Sequence, residues 1–85
     1  MKFNFNDYKG KFAMHCKTAK EAKEFCRYMH SHGRMWNSFD SYADKTNWSE
    51  YFKEQTVYYF NDGRCGTVEF AKECGYTVLE WEDYV

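Results

Sequence analysis

Apolar and polar residues alternate along Lys11-Phe12-Ala13-Met14-His15-Cys16, with Phe12, Met14 and Cys16 on one face and Ala13 and His15 on the other. Period two predicts a strand. The period then changes. Ala22, Phe25, Cys26 and Met29 recur at i, i+3, i+4 and i+7, which draws one apolar stripe along a helix. Thr18-Ala19-Lys20-Glu21 precedes that stripe and fits a capping box, in which the Thr and Glu side chains each satisfy a free backbone N–H. Gly33 stands where a left-handed residue closes such a helix.

Beyond Gly33 the pattern is mixed as far as Thr46, with Trp36, Phe39 and Tyr42 spaced by three. The stretch fits a short strand at Met35–Phe39 or a loop pinned by its rings. Asn47-Trp48-Ser49-Glu50 offers a second capping box and predicts a helical turn to about Glu54. Thr56–Asn61 is β-branched and aromatic and runs into Asn61-Asp62-Gly63, so it reads as a strand ending in a turn. Thr67 caps a short helix over Val68–Cys74 that closes at Gly75, and Tyr76–Trp81 forms the last strand. Residues 1–10 fit an irregular lead-in or a short edge strand. The predicted architecture is a single α+β domain over residues 1–85, a mixed three- or four-stranded sheet covered by two α-helices in the order β-α-(β)-β-α-β.

Composition changes the picture of the core. The chain of 85 residues has four valines, one leucine and no isoleucine, against 8 Phe, 8 Tyr and 3 Trp. So few aliphatics usually indicate disorder, but disorder also requires high net charge and few aromatics. The formal charge is −1 and 22% of the residues are aromatic, so the chain folds around rings, each burying about 150–250 Å². No apolar run approaches the ~20 residues of a membrane span. The opening Met-Lys-Phe-Asn-Phe-Asn-Asp-Tyr lacks the apolar stretch of a secretory signal. The four cysteines, 16, 26, 65 and 74, are therefore expected as reduced thiols of a cytoplasmic protein.

Charge is uneven. Residues 1–34 hold eight Lys/Arg and three acids, net +5, whereas residues 35–85 hold four Lys/Arg and ten acids, net −6. Two binding modes follow from this asymmetry. In the first, an acidic surface meets a basic partner through Asp40, Asp44, Glu50, Glu54, Glu80, Glu82 and Asp83, with Trp48, Tyr51, Trp81 or Tyr84 as aromatic anchors. In the second, Lys17, Lys20, Lys23, Arg27 and Arg34 around the first helix meet phosphate, with Tyr28 or Trp36 for stacking. The net negative charge weighs against direct nucleic-acid binding.

Metal chemistry has one candidate. Cys26 and His30 lie one helical turn apart, the spacing at which two soft side chains hold two tetrahedral positions of zinc. If both helices run back from their strands, Cys26, His30, His32 and Cys74 gather at one end of the domain. His15, Cys16 and Cys65 gather at the other, about 20 Å away. Catalysis has weaker support. His15 and Cys16 are adjacent in a strand and point to opposite faces, and no third group orients a Cys/His pair. No metalloprotease or phosphate-loop motif occurs, so the chain is read as a non-enzymatic protein.

Two blocks carry a resemblance. Lys11–Thr18 running into Glu21-Ala22-Lys23-Glu24-Phe25-Cys26, and Gly75–Tyr84, together with Tyr59-Phe60-Asn61-Asp62-Gly63, resemble small proteins encoded by phages and prophages of Gram-positive bacteria. Within that class the compact, aromatic-rich chain is similar to type II-A anti-CRISPR proteins, some of which are described as binding zinc. The resemblance implies stoichiometric inhibition of a type II Cas nuclease in the cytoplasm of an infected or lysogenic host. It assigns no contact residues. Cas effectors present basic channels, which the seven acids listed above would complement. The alternative is a small phage regulator that binds nucleic acid through the first helix.

Overall fold

A computed structural model describes residues 3–84. Strand β1 (Phe12–His15) leads into helix α1 (Ala19–Ser31), β2 (Thr56–Tyr59), β3 (Cys65–Thr67), helix α2 (Val68–Glu73) and β4 (Thr77–Glu80). The strands form one mixed sheet in the order β3-β2-β1-β4. β2 runs antiparallel to both β1 and β3, and β4 runs parallel to β1. Short 3-10 turns cover Phe5–Asp7, Lys53–Gln55 and Trp81–Tyr84.

Local sequence explains the helix ends. The Thr18 hydroxyl accepts from Glu21 N–H at 3.1 Å, and the Glu21 carboxylate accepts from Lys17 N–H at 2.9 Å, one residue before the position a standard capping box uses. At the other end Gly33 adopts φ +76°. This lets Arg34 N–H reach Met29 C=O at 3.0 Å and Gly33 N–H reach His30 C=O at 3.0 Å, a Schellman closure. Helix α2 repeats the arrangement, with Thr67 as cap and Gly75 at φ +85°.

The two helices lie on opposite faces of the sheet. Met14, Cys16, Tyr58 and Phe60 pack with Ala22, Phe25, Cys26 and Met29 of α1, joined by Phe3, Trp36, Tyr42 and Trp81. Phe3 alone meets six other rings, most of them edge to face. The opposite face is thinner: Ala13, Val57 and Tyr59 pack with Ala71, and Val68, Tyr76 and Val78 sit at the margin.

The structure decides between the stated alternatives at Met35–Phe39 and at the lead-in, and corrects the sequence reading at β3 and at Asn47. Met35–Phe39 is no strand and contributes only an isolated bridge between Met35 and Ser41. The fourth strand is Cys65–Thr67, three residues whose last member also caps α2. Asn47 does not cap a helix, because its φ of +58° is left-handed rather than extended, and only the 3-10 turn at Lys53–Gln55 follows. Residues 4–10 form no edge strand, and Met1 and Lys2 of that stretch lie outside the described residues. Among the described residues no helix is long and apolar enough to cross a membrane.

Candidate functional site

The candidate metal ligands separate. Both helices run toward the same end of the sheet, as expected, but the sheet lies between them. Cys26 faces the α1 core at 1% exposure, whereas Cys74 ends α2 on the other side and is exposed. His30 is exposed beside the Ser41 hydroxyl at 3.2 Å, and His32 stacks on Tyr28 with ring centroids 4.1 Å apart. Among the described residues no group of three or more His, Cys, Asp or Glu could hold a metal ion.

All four thiols are free. Burial pushes the Cys26 thiol up to about 12 and lifts Cys16 well above the ordinary thiol range, with Cys26 and the carboxylates of Glu21, Glu80 and Glu24 adding to the Cys16 shift. Both stay protonated at neutral pH and are poor nucleophiles. His15 points away from Cys16, as the alternation requires. Its Nδ1 lies 2.8 Å from the Glu80 carboxylate and its Nε2 lies 2.7 Å from the Glu54 carbonyl oxygen. A carbonyl only accepts, so Nε2 donates, and the ring ties the 3-10 turn at Lys53–Gln55 to β1 and β4.

The seven acids fall into two groups. Glu54, Glu80, Glu82 and Asp83 lie where β1 and β4 end. Glu80 is engaged by His15 there, and Glu82 pairs with Lys17 at 2.8 Å, which raises the Lys17 pKa. Glu21 and Glu24 from the basic half join this end, Glu24 accepting from Trp81 Nε1 at 3.2 Å. Asp40, Asp44 and Glu50 lie on the loops of residues 37–50. The Ser38 hydroxyl and Lys45 hold the Asp40 carboxyl below its usual range, while Asp44 and Glu50 share a groove with Lys23 and Lys45. The two signs are thus partly interleaved, and the acids do not form one continuous patch.

Basic and aromatic candidates sort in the same way. Lys20, Lys23 and Arg27 are exposed along α1. Arg34 is held by Phe60 C=O at 2.9 Å and lies over the Phe5 ring. Trp36 is buried, and Tyr28 accepts from Phe5 N–H at 2.8 Å, so both serve packing rather than stacking. Of the expected anchors, Trp81 is buried, Trp48 donates to Cys16 C=O at 2.9 Å, and Tyr84 packs beside Tyr8. Tyr51 alone among them is widely exposed, at 62%.

The exposed apolar residues that sequence reasoning missed are Met35, Phe39, Phe52 and Phe70. Phe39 is the most exposed, at 84%, and its backbone is left-handed at φ +72°. That conformation is costly for a bulky residue, and such outliers cluster at functional sites. Two grooves lie beside β3. One, of about 430 Å³, is lined by Trp36, Asn37, Tyr51, Phe52 and Arg64 among others. The second, of about 410 Å³, is lined by Phe52, Tyr59, Arg64, Gly66 and Phe70 among others. They share Phe52, Arg64 and Cys65. The spacing of Tyr51, Phe52 and Phe70 carries no periodic signal, because their proximity depends on β3, which the sequence pattern did not reveal.

Comparison with protein-family models, with curated proteins and with solved structures returns no match to this chain. The functional reading therefore rests on the surface just described and on the resemblance carried by its sequence blocks.

Proposed function

We propose that this domain acts by stoichiometric binding to a protein, and that its target is a type II Cas nuclease in the cytoplasm of a bacterial host. The observation that carries the binding mode is the display of Phe39, Tyr51, Phe52 and Phe70 on a chain that buries most of its other rings. Large exposed apolar side chains rimmed by polar ones mark interaction surfaces. Glu50 and Glu54 flank Tyr51 and Phe52 in the chain and are exposed, which suits a rim that meets a basic partner. The resemblance to type II-A anti-CRISPR proteins supplies the identity of the target. Co-elution of the purified domain with the nuclease tests both parts. A complex weakened by salt, by charge reversal at Glu50 and Glu54, and about thirtyfold by Tyr51→Ala with Phe52→Ala is the expected result. Loss of DNA cleavage without a complex contradicts it.

A second reading, nucleic-acid binding through α1, is favoured by one observation. Lys20, Lys23 and Arg27 stand at helical spacing, exposed, and form no ion pair among the described residues. It predicts a gel shift of naked DNA that Lys20→Glu and Arg27→Glu abolish, and absence of any shift at low salt removes it.

A further inference from the structure

The outer edge of β3 is open. Along β2, Phe60 N–H donates to Phe12 C=O and Thr56 C=O accepts from Cys16 N–H, so positions 56, 58 and 60 face β1. Positions 57 and 59 face β3, and Tyr59 N–H donates to Arg64 C=O at 3.1 Å. Antiparallel ladders alternate, so Gly66 turns its backbone to β2 while Cys65 and Thr67 turn theirs outward. No residue among those described accepts from the outward N–H groups of Cys65 and Thr67. An edge of this kind is a template for another strand.

The walls of that edge are chemically specific. Phe52 and Phe70 line the grooves beside it, and Arg64, common to both, is the only charged residue lining either among the described residues. Arg64 is exposed, and its guanidinium has no hydrogen-bond or ion-pair partner among the described residues. Tyr59, also in the wall, is more than nine-tenths buried, and its hydroxyl has no partner among them either. We propose that the β3 edge takes, as a fifth strand, an extended segment of a protein partner that carries a carboxylate opposite Arg64. The segment's amides pair with Cys65 and Thr67, a carboxylate meets the Arg64 guanidinium, and apolar side chains enter beside Phe52 and Phe70. A peptide is favoured over nucleic acid because it alone brings a backbone that completes the ladder. The proposal rests on the protein-binding reading above and specifies its mode.

The test is selection of random linear peptides against the full 85-residue chain, followed by titration of the synthetic consensus peptide. The selected peptides should share an Asp or Glu flanked by β-branched or aromatic residues. The consensus should bind about tenfold more weakly to Arg64→Glu and should slow hydrogen exchange at the Cys65 and Thr67 amides. Several results overturn the proposal: no enriched peptide, peptides without an acid, equal binding to Arg64→Glu, or unprotected Cys65 and Thr67 amides. So do self-association through β3 or binding of single-stranded oligothymidine as the only activity found. Co-elution with the nuclease, run in parallel, separates the two levels. A complex that forms equally with wild type and Arg64→Glu overturns only the fifth-strand mode, whereas no complex with wild type overturns the protein-binding target.

Discussion

The two faces of the sheet differ in thickness and in what they bury. Under α1 lie Phe25, Phe60, Tyr58, Tyr42, Trp36 and Trp81 with two thiols, interlocked through ring contacts. Under α2 lie Ala13, Val57, Tyr59 and Ala71. The α1 face therefore supplies most of the burial that holds the domain together. The α2 face and the adjoining β3 edge are left with exposed apolar side chains and an open ladder.

The sharpest way to break this comparison is alkaline titration, because the α1 face buries two thiols and two phenols that ionise reluctantly, whereas the α2 face buries a single phenol of that kind, Tyr59. Cys16, Cys26, Tyr42 and Tyr58 all have folded pKa values raised chiefly by burial, Cys26 to about 12. An acid whose folded pKa is raised keeps its proton while the unfolded chain loses it. Stability is therefore unaffected below the ordinary thiol value near 9 and falls as pH rises through the window above it. Each group contributes about 1.4 kcal/mol per pH unit once its unfolded counterpart ionises. Denaturant unfolding at pH 8 and pH 11 should show a loss of several kcal/mol, reduced in a Cys26→Ala variant compared against its own pH 8 value. A pH-independent midpoint contradicts the account.

Truncation of one ring comes next. Phe60→Ala should cost about 3–5 kcal/mol, and Val57→Ala on the thin face about 2 kcal/mol. Equal losses measured by urea unfolding erase the asymmetry. Thr18→Ala removes the hydroxyl that caps α1 and should cost about 1 kcal/mol. Tyr51→Ser and Phe70→Ser should change stability by no more than about 0.5 kcal/mol, since both side chains are exposed, while weakening partner binding.

How far the sequence disclosed this arrangement depends on the segment. β1 and α1 were legible because period two and period 3.6 are clean there and Thr18 and Gly33 mark the helix ends. The aromatic core was legible from composition, since no aliphatic alternative exists. The segment 34–55 was not. Trp36 there donates to Lys45 C=O, and Tyr58 of β2 donates to Thr46 C=O, so tertiary hydrogen bonds set its path rather than local propensity. Left-handed Phe39 and Lys53 have no sequence signature of the kind glycine or asparagine provides. β3 escaped notice because three residues containing a glycine show no alternation. A Cβ at Gly66 would lie 2.7 Å from the Tyr59 hydroxyl, so a larger residue there displaces that ring. The four zinc candidates are not brought together for a topological reason: helical spacing predicted which end each residue reaches, and only the sheet order reveals which face. The acidic surface was legible as charge but not as pairing, since Lys17 and His15 engage Glu82 and Glu80 across the ends of β1 and β4.

The central claim is that the domain meets a protein through the apolar surface beside β3. Hydrogen–deuterium exchange of the chain, alone and mixed with a type II Cas nuclease, tests it most directly. The account predicts slowed exchange over residues 51–55 and 64–70, with α1 unchanged. Protection confined to the Lys20–Arg27 flank, or none anywhere in the chain, contradicts it.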